Sequence, residues 1–550
     1  MYHWASLRKF LDVPANVTGK GVSIAIIDGD FPAHPDISTD AVRQTYLVRA
    51  SDPNPAPTLL ESTEGPWPRG EHGLWAAASA AGSGFLCHGH YCGVAPEADL
   101  FLVAGGSLKQ KLNVETSISN ALNWVKSNWK KYNIRGVLVA TYGKKDTGLL
   151  PWQVDPLRVL CEEIADEGVL VVAGTGNHSD TTSGVTQAAA PSVLSVGGVI
   201  IPEDGDPASA EPYHGSRGYT FEGKWVPDIL APAEHIVFPY GTEEQFEAHL
   251  YAHSDHLPKG YARINEGTSF AGPIALGLAA CLWQAHPEWT ADRIKAALIN
   301  TSTPNVKWSQ LKAGLPSIKR AIEIETSEAS SNQQLNSYRT WREWREKPLS
   351  LRLQSLRSHN EDTAMPILLS FLPGELPDEA ASSVKKLFVH PSFRVRTAAI
   401  CVLATKPDVW TEECMISAFR DESPNVRMAA IFALLQCPRF WADMSGHLIQ
   451  TFTDSSFDVR CTAFRLAAII KHPDFVEQLV QGLEDDAHNK RLANYSARCT
   501  ALTSITGHQI PAVPGWQLGE CPYSERSFKA RIITAQQWKS WLSASKRAEQ

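Results

Sequence analysis

The chain reads as an α/β fold, a parallel sheet with helices on both faces, followed by an all-α solenoid of stacked helices. Three observations predict this. Between residues 20 and 325, short apolar runs alternate with stretches of helical spacing, the order expected of a parallel sheet covered on both sides. Residues 326–340 are polar and show no periodicity, which marks a linker. Beyond them a segment recurs every 31 to 33 residues, the mark of helix pairs that bury their faces only by stacking. The expected division is an α/β domain over 1–325, a linker over 326–345 and a helical-repeat domain over 346–550.

The elements follow in order. Residues 22–27 form an apolar, strand-like run that ends at Asp28, and residues 100–104, 137–140 and 169–173 look similar. Residues 121–130 and 157–165 carry helical spacing between them. The Pro-rich stretch 51–70 is expected to be a loop. In open parallel sheets the chemistry gathers at the carboxyl ends of the strands. In the repeats, an apolar residue precedes a polar turn, often with Asp421, Asp454 or Asp485, and an arginine follows. The arginines are Arg396, Arg427, Arg460 and Arg491, and the positions Val395, Ala398, Ala399 and Val402 fall on one helical face. The fourth unit carries Lys490 and Asn494 on that face and reads as a degenerate cap.

Composition narrows the function. The chain has 550 residues, 43% of them hydrophobic and 20% charged, with a net charge of −8. That is globular, too long for one core, and without general attraction to nucleic acid or anionic membranes. No run long and apolar enough for a membrane span stands out, and the amino terminus lacks the apolar core of a secretory signal. Ten scattered cysteines without a CxxC pair fit reduced thiols, hence a cytoplasmic setting. Cys87, His88, His90 and Cys92 cluster in one loop, but their spacing matches no zinc pattern, so no metal site is expected there.

Hydrolysis of a peptide by a hydroxyl needs a base for its proton and donors for the oxyanion. Ser269 stands in Gly267-Thr-Ser-Phe-Ala-Gly-Pro273 just ahead of an apolar helical stretch, where free N–H groups favour developing negative charge. His72 opens a small-residue helix, Asp28 ends a buried-looking strand, and Asn177 ends Val169-Leu-Val-Val-Ala-Gly-Thr-Gly-Asn177. Taken singly, each is an ordinary cap, packing or turn residue.

Their joint order resembles the subtilisin family of serine peptidases, whose chain order is Asp, His, Ser with an Asn oxyanion donor. Further landmarks carry the resemblance over about residues 18–325: Thr18-Gly-Lys-Gly-Val22, His34-Pro-Asp36, Gly93-Val-Ala-Pro96, Ala190-Pro-Ser-Val193, Val226-Pro-Asp-Ile-Leu-Ala-Pro232 and His286-Pro-Glu-Trp289. The resemblance implies a subtilisin-like sheet and an intracellular serine endopeptidase acting through an acyl-enzyme. Ser269 would be the nucleophile, His72 the base and acid, Asp28 the orienting carboxylate, and Asn177 with the Ser269 N–H the oxyanion hole. Thr141, Tyr142 and Gly143 would pair with extended substrate, and Ala173, Gly174 and Gly176 would line the opposite wall. The repeats resemble HEAT-type repeats, expected to recruit a protein substrate or a protein regulator.

Some motifs depart from the family pattern. Asp28-Gly29-Asp30 replaces Asp, small hydroxyl, Gly, which makes Asp30 a rival carboxylate. Leu74 and Trp75 stand where Thr and a second His are usual, and Trp75 is expected to alter packing beside the cleft. Glu71 precedes His72, but the related family that uses Glu in place of His differs elsewhere too. No cofactor is called for; many family members bind calcium through loops that do not align here, so calcium stays open. About 20 residues precede the first strand. An enzyme that folds unaided is favoured, with a helper, or a chain taken without its leader, as alternatives. A competing function is a binding scaffold in which the peptidase fold is catalytically dispensable.

Overall fold

The computed structural model describes residues 4–63, 71–106, 113–141, 148–181, 187–240, 257–258, 260–263, 266–324, 335–356, 360–374, 376–514 and 522–549. Its centre is a nine-stranded sheet. The strands are β1 (Ser23–Asp28), β2 (Thr45–Arg49), β3 (Thr58–Leu59), β4 (Asp99–Ala104), β5 (Ile134–Val139), β6 (Leu170–Gly174), β7 (Leu194–Ile200), β8 (Glu211–Pro212) and β9 (Ile229–Glu234). Their order is β9-β7-β6-β5-β1-β4-β2-β3, with β8 beside β7. The long strands pair in parallel, and only β3 and β8 run antiparallel at the margins.

Both faces of the sheet are covered, because its strands are apolar on both sides. Ile24 and Ile26 of β1 enter one core with the helices His72–Ala81 and Thr268–Ala285. Ala25 and Ile27 enter a second core with the helices Val114–Tyr132 and Pro156–Asp166. The helix Thr268–Ala285 is apolar enough to cross a membrane by length and composition, yet 83% of it is buried here. It is the central core helix.

Two loop expectations are revised. The Pro-rich stretch holds β3, which pairs antiparallel with β2 through Tyr46 and Leu59. The expected linker holds the helix Leu335–Glu346. Its charge masked an aromatic face: Tyr338 and Trp341 are buried against Trp152 of the α/β domain. Trp341 Nε1 also donates to the carbonyls of Leu369 and Leu372 at 3.0 and 2.9 Å.

The carboxyl-terminal region is helical, and its helices pack in sequence into one core that also takes in Leu149, Leu150 and Phe221. An ion-pair ladder follows the repeat. Arg396 grips Asp421 with two bonds of 2.8 and 2.9 Å, and Arg427 grips Asp454 at 2.6 and 2.7 Å. The same aspartates accept from the backbone N–H of Ser423 and Ser456 at the next helix start. Each carboxylate thus joins two neighbouring units. The ladder breaks at Arg460, whose Nε and Nη2 are buried without a hydrogen bond, while Asp485 is taken by Arg491 at 2.6 Å. The final helix, Glu525–Glu549, covers the end of the array and brings Trp538 into its core.

Candidate active site

The site forms where three stretches reach the carboxyl edge of the sheet. Asp28 is the last residue of β1, and its side chain is only 4% exposed. Its Oδ1 accepts from the Gly29 N–H at 2.6 Å, which fixes the carboxylate. Its Oδ2 lies 2.6 Å from His72 Nδ1. His72 begins the helix His72–Ala81, with its side chain 42% exposed. Burial works against the imidazolium, but the charge of Asp28 and the bond to it outweigh burial and raise the His72 pKa above 6.5. Asp30 turns elsewhere: its carboxylate faces Arg49 at 3.5 Å and accepts from the Phe31 N–H.

Ser269 is the second residue of the helix Thr268–Ala285, so its N–H is one of the donors an α-helix leaves without an internal partner. The next residue, Phe270, carries its ring 5.4 Å from that of His72. Trp75 is buried in the same core, its Nε1 donating to the Pro239 carbonyl at 2.9 Å, and its ring lies 6.2 Å from Phe238. The bulky residue therefore ties the His72 helix to the neighbouring short strand Phe238–Pro239.

Asn177 follows β6. Its Oδ1 accepts from the Thr268 N–H at 2.9 Å and from Thr268 Oγ1 at 3.1 Å. Because the amide oxygen is occupied, Nδ2 is the end left to donate. Gly267 shows where it points. At φ 152° this residue has a backbone unsuited to a side chain, and a Cβ there would stand 3.3 Å from Asn177 Nδ2 and 3.5 Å from Ser269 Oγ. The amide donor and the hydroxyl thus flank one small space that only glycine leaves open. Gly174 matters for a different reason, since a Cβ on it would lie 2.4 Å from the Thr268 carbonyl oxygen. Close approach of β6 to the serine helix requires its absence.

Ala173 is buried and Gly174 half-buried at the end of β6, and the Gly176 N–H donates to Thr268 Oγ1 at 2.9 Å. Thr141 follows β5 and is partly exposed, whereas Tyr142 and Gly143 lie outside the described residues. Thr268 is the residue that sequence reasoning missed. It stands within the Gly-Thr-Ser motif, yet nothing in the sequence says that it holds an amide 91 residues away.

Among the described residues, His214, Glu234 and Glu266 bring one donor atom each within 4.8 Å of one another. His214 Nε2 lies 3.4 Å from Glu266, and Glu234 is pushed up to about 7 by burial and by the charge of Glu266, against the opposing charge of Arg263. In the cysteine-histidine loop, Cys87 turns inward and its thiol donates to the Gly84 carbonyl at 3.2 Å.

The chain is similar to known proteins over its α/β domain. The model of the subtilase family matches residues 19–335. Serine protease AprX of Bacillus subtilis is 28% identical over 295 residues, covering 52% of this chain and 62% of that protein. The chain therefore spans less than two thirds of that relative. Subtilisin Savinase of Lederbergia lenta is 27% identical over 292 residues, covering 52% of this chain and 85% of that protein. Among solved structures, fervidolysin from Fervidobacterium pennivorans matches with a TM-score of 0.41 and 18% identity, over 58% of this chain and 45% of that one.

Proposed function

Since the chain belongs to the subtilase family, we propose that it is a serine endopeptidase acting through Ser269, His72 and Asp28. The observations that carry this are the 2.6 Å bond from Asp28 to His72 and the space flanked by Ser269 Oγ and Asn177 Nδ2. Asp28 fixes the tautomer of His72, so that the free Nε2 accepts the Ser269 proton. The alkoxide forms a bond to the scissile carbonyl carbon. The resulting oxyanion sits between Asn177 Nδ2 and the Ser269 N–H at a helix start. His72 then gives its proton to the leaving amine, and water, activated by the same imidazole, releases the acyl group from Ser269. Thr141 and the segment 173–176 would hold the substrate backbone on either side by strand pairing.

The helical array reads as HEAT-like repeats that recruit a protein substrate or a protein regulator, supported by its one-pair-per-repeat stacking and bridging Arg-Asp ladder. Among the described residues nine cysteines carry free thiols, which supports a reducing, cytoplasmic setting. A fluorophosphonate probe is expected to label the wild-type protein and to leave Ser269→Ala unlabelled. Absence of label on folded wild-type protein overturns the reading.

A further inference from the structure

The loop that carries Asn177 does not end inside the α/β domain. Three residues on, Asp180 is 5% exposed, and its carboxylate points into the helical array. It accepts from the backbone N–H of Ala493 through both oxygens, at 3.2 and 3.1 Å. Its Oδ2 also accepts from the Asn494 N–H and from Asn494 Nδ2, each at 3.2 Å. These residues open the fifteen-residue helix Leu492–Thr506, which has no capping bond from its own N-cap residue, Arg491. A carboxylate from one domain thus caps a helix of the other, satisfying free N–H groups and meeting the positive end of the helix. Asn494 is fully buried and passes the contact inward, with Nδ2 also 3.3 Å from the Phe457 carbonyl.

A second contact lies alongside. Tyr523 packs its ring 4.1 Å from that of His214, and its hydroxyl lies 3.4 Å from Ser179 Oγ. His214 precedes Gly215 and Ser216, and the Ser216 N–H donates to the Gly176 carbonyl at 2.9 Å. The loop is therefore gripped at two ends. Thr268 holds Asn177 and Gly176 on the side of the serine, and the helical array holds Ser179 and Asp180 on the other.

We propose that Asp180 is a positioning residue through which the helical array holds the Asn177 donor in register with Ser269. The proposal rests on the peptidase reading. Its physical content is that a loop pinned at both ends keeps the amide donor where the oxyanion forms, and a displacement of an ångström there is costly. It also accounts for Asn494. A polar residue on a repeat face that is otherwise apolar weakens stacking, and here it completes the seat for Asp180.

The test is made in the full-length chain. Asp180→Ala is expected to lower kcat on a chromogenic peptide by about 10- to 100-fold while KM changes less than about threefold. Asp180→Asn, whose amide oxygen still caps a helix, is expected to recover most of that loss. In an Asn177→Ala background, Asp180→Ala is expected to change kcat by less than about twofold, because its effect runs through the missing amide. Wild-type kcat in folded Asp180→Ala, or the same proportional loss with Asn177 absent, overturns the proposal. Hydrogen exchange separates this from failure of the peptidase reading. If the wild type hydrolyses nothing, that reading falls by itself. Faster amide exchange in 175–181 of Asp180→Ala still supports the pinning of the loop, and unchanged exchange there overturns it.

Discussion

At the scale of single residues, the Asp28–His72 pair sets a pH dependence with two opposite signs. Asp28 raises the His72 pKa above 6.5, and the base is active only when neutral. The acid limb of kcat/KM is therefore expected above pH 6.5 and should move down when Asp28→Asn removes the charge, as a pH–rate profile would read. Stability responds the other way. A histidine whose folded pKa is raised contributes stability fully below its unfolded pKa, and that contribution disappears as pH rises through the folded value. The conditions that free the base thus weaken the bond that orients it. The three residues proposed for this reaction were legible as candidates in the sequence, because each sits in a local motif. Thr268 and Asp180 were not. Their partners lie 91 and 313 positions away, and neither spacing leaves a periodic trace.

At the scale of elements, the repeat period was plain in the sequence, but the energetic use of its arginines was not. Arg427 and Asp454 are 12% and 7% exposed and bind in a two-pronged geometry, whereas Arg460 at the equivalent position has no carboxylate on its Nε and Nη2. Removing one partner of a buried pair strands the other charge. Arg427→Met is expected to cost about 3–5 kcal/mol in chemical denaturation, against about 1 kcal/mol for loss of an exposed pair such as Arg342 with Glu346. Arg460→Met is expected to cost distinctly less than Arg427→Met, although both occupy the same place in the repeat. The helix Leu335–Glu346 was hidden for a related reason. Its polar surface outweighs a short aromatic face that makes sense only once Trp152 is beside it.

At the scale of the whole molecule, the helical array touches the α/β domain at several separate places. Leu149, Leu150 and Phe221 enter the helical core, Asn425 Nδ2 donates to the Leu149 carbonyl at 2.8 Å, and Trp152 is sandwiched with Tyr338 and Trp341. Calorimetry is expected to show one unfolding transition for the wild type. Trp152→Ala should lose about 3–5 kcal/mol and separate the transition into two, because the tryptophan belongs to both bodies. The presence of two architectures was readable from the change of period along the chain. Their mutual dependence was not, since no motif announces that a loop of one will complete a helix of the other.

The anchoring of the array at both ends has a consequence for how such chains change over generations. Each unit up to Arg460 carries its own ionic clasp, but the array is fixed to the α/β domain near Trp152 and again at Asp180, so a unit copied or lost between those points shifts one anchor against the other. A duplication inserted anywhere between residues 346 and 492 would carry the helix start away from Asp180. The number of stacked units is thereby held to the distance between the two anchors.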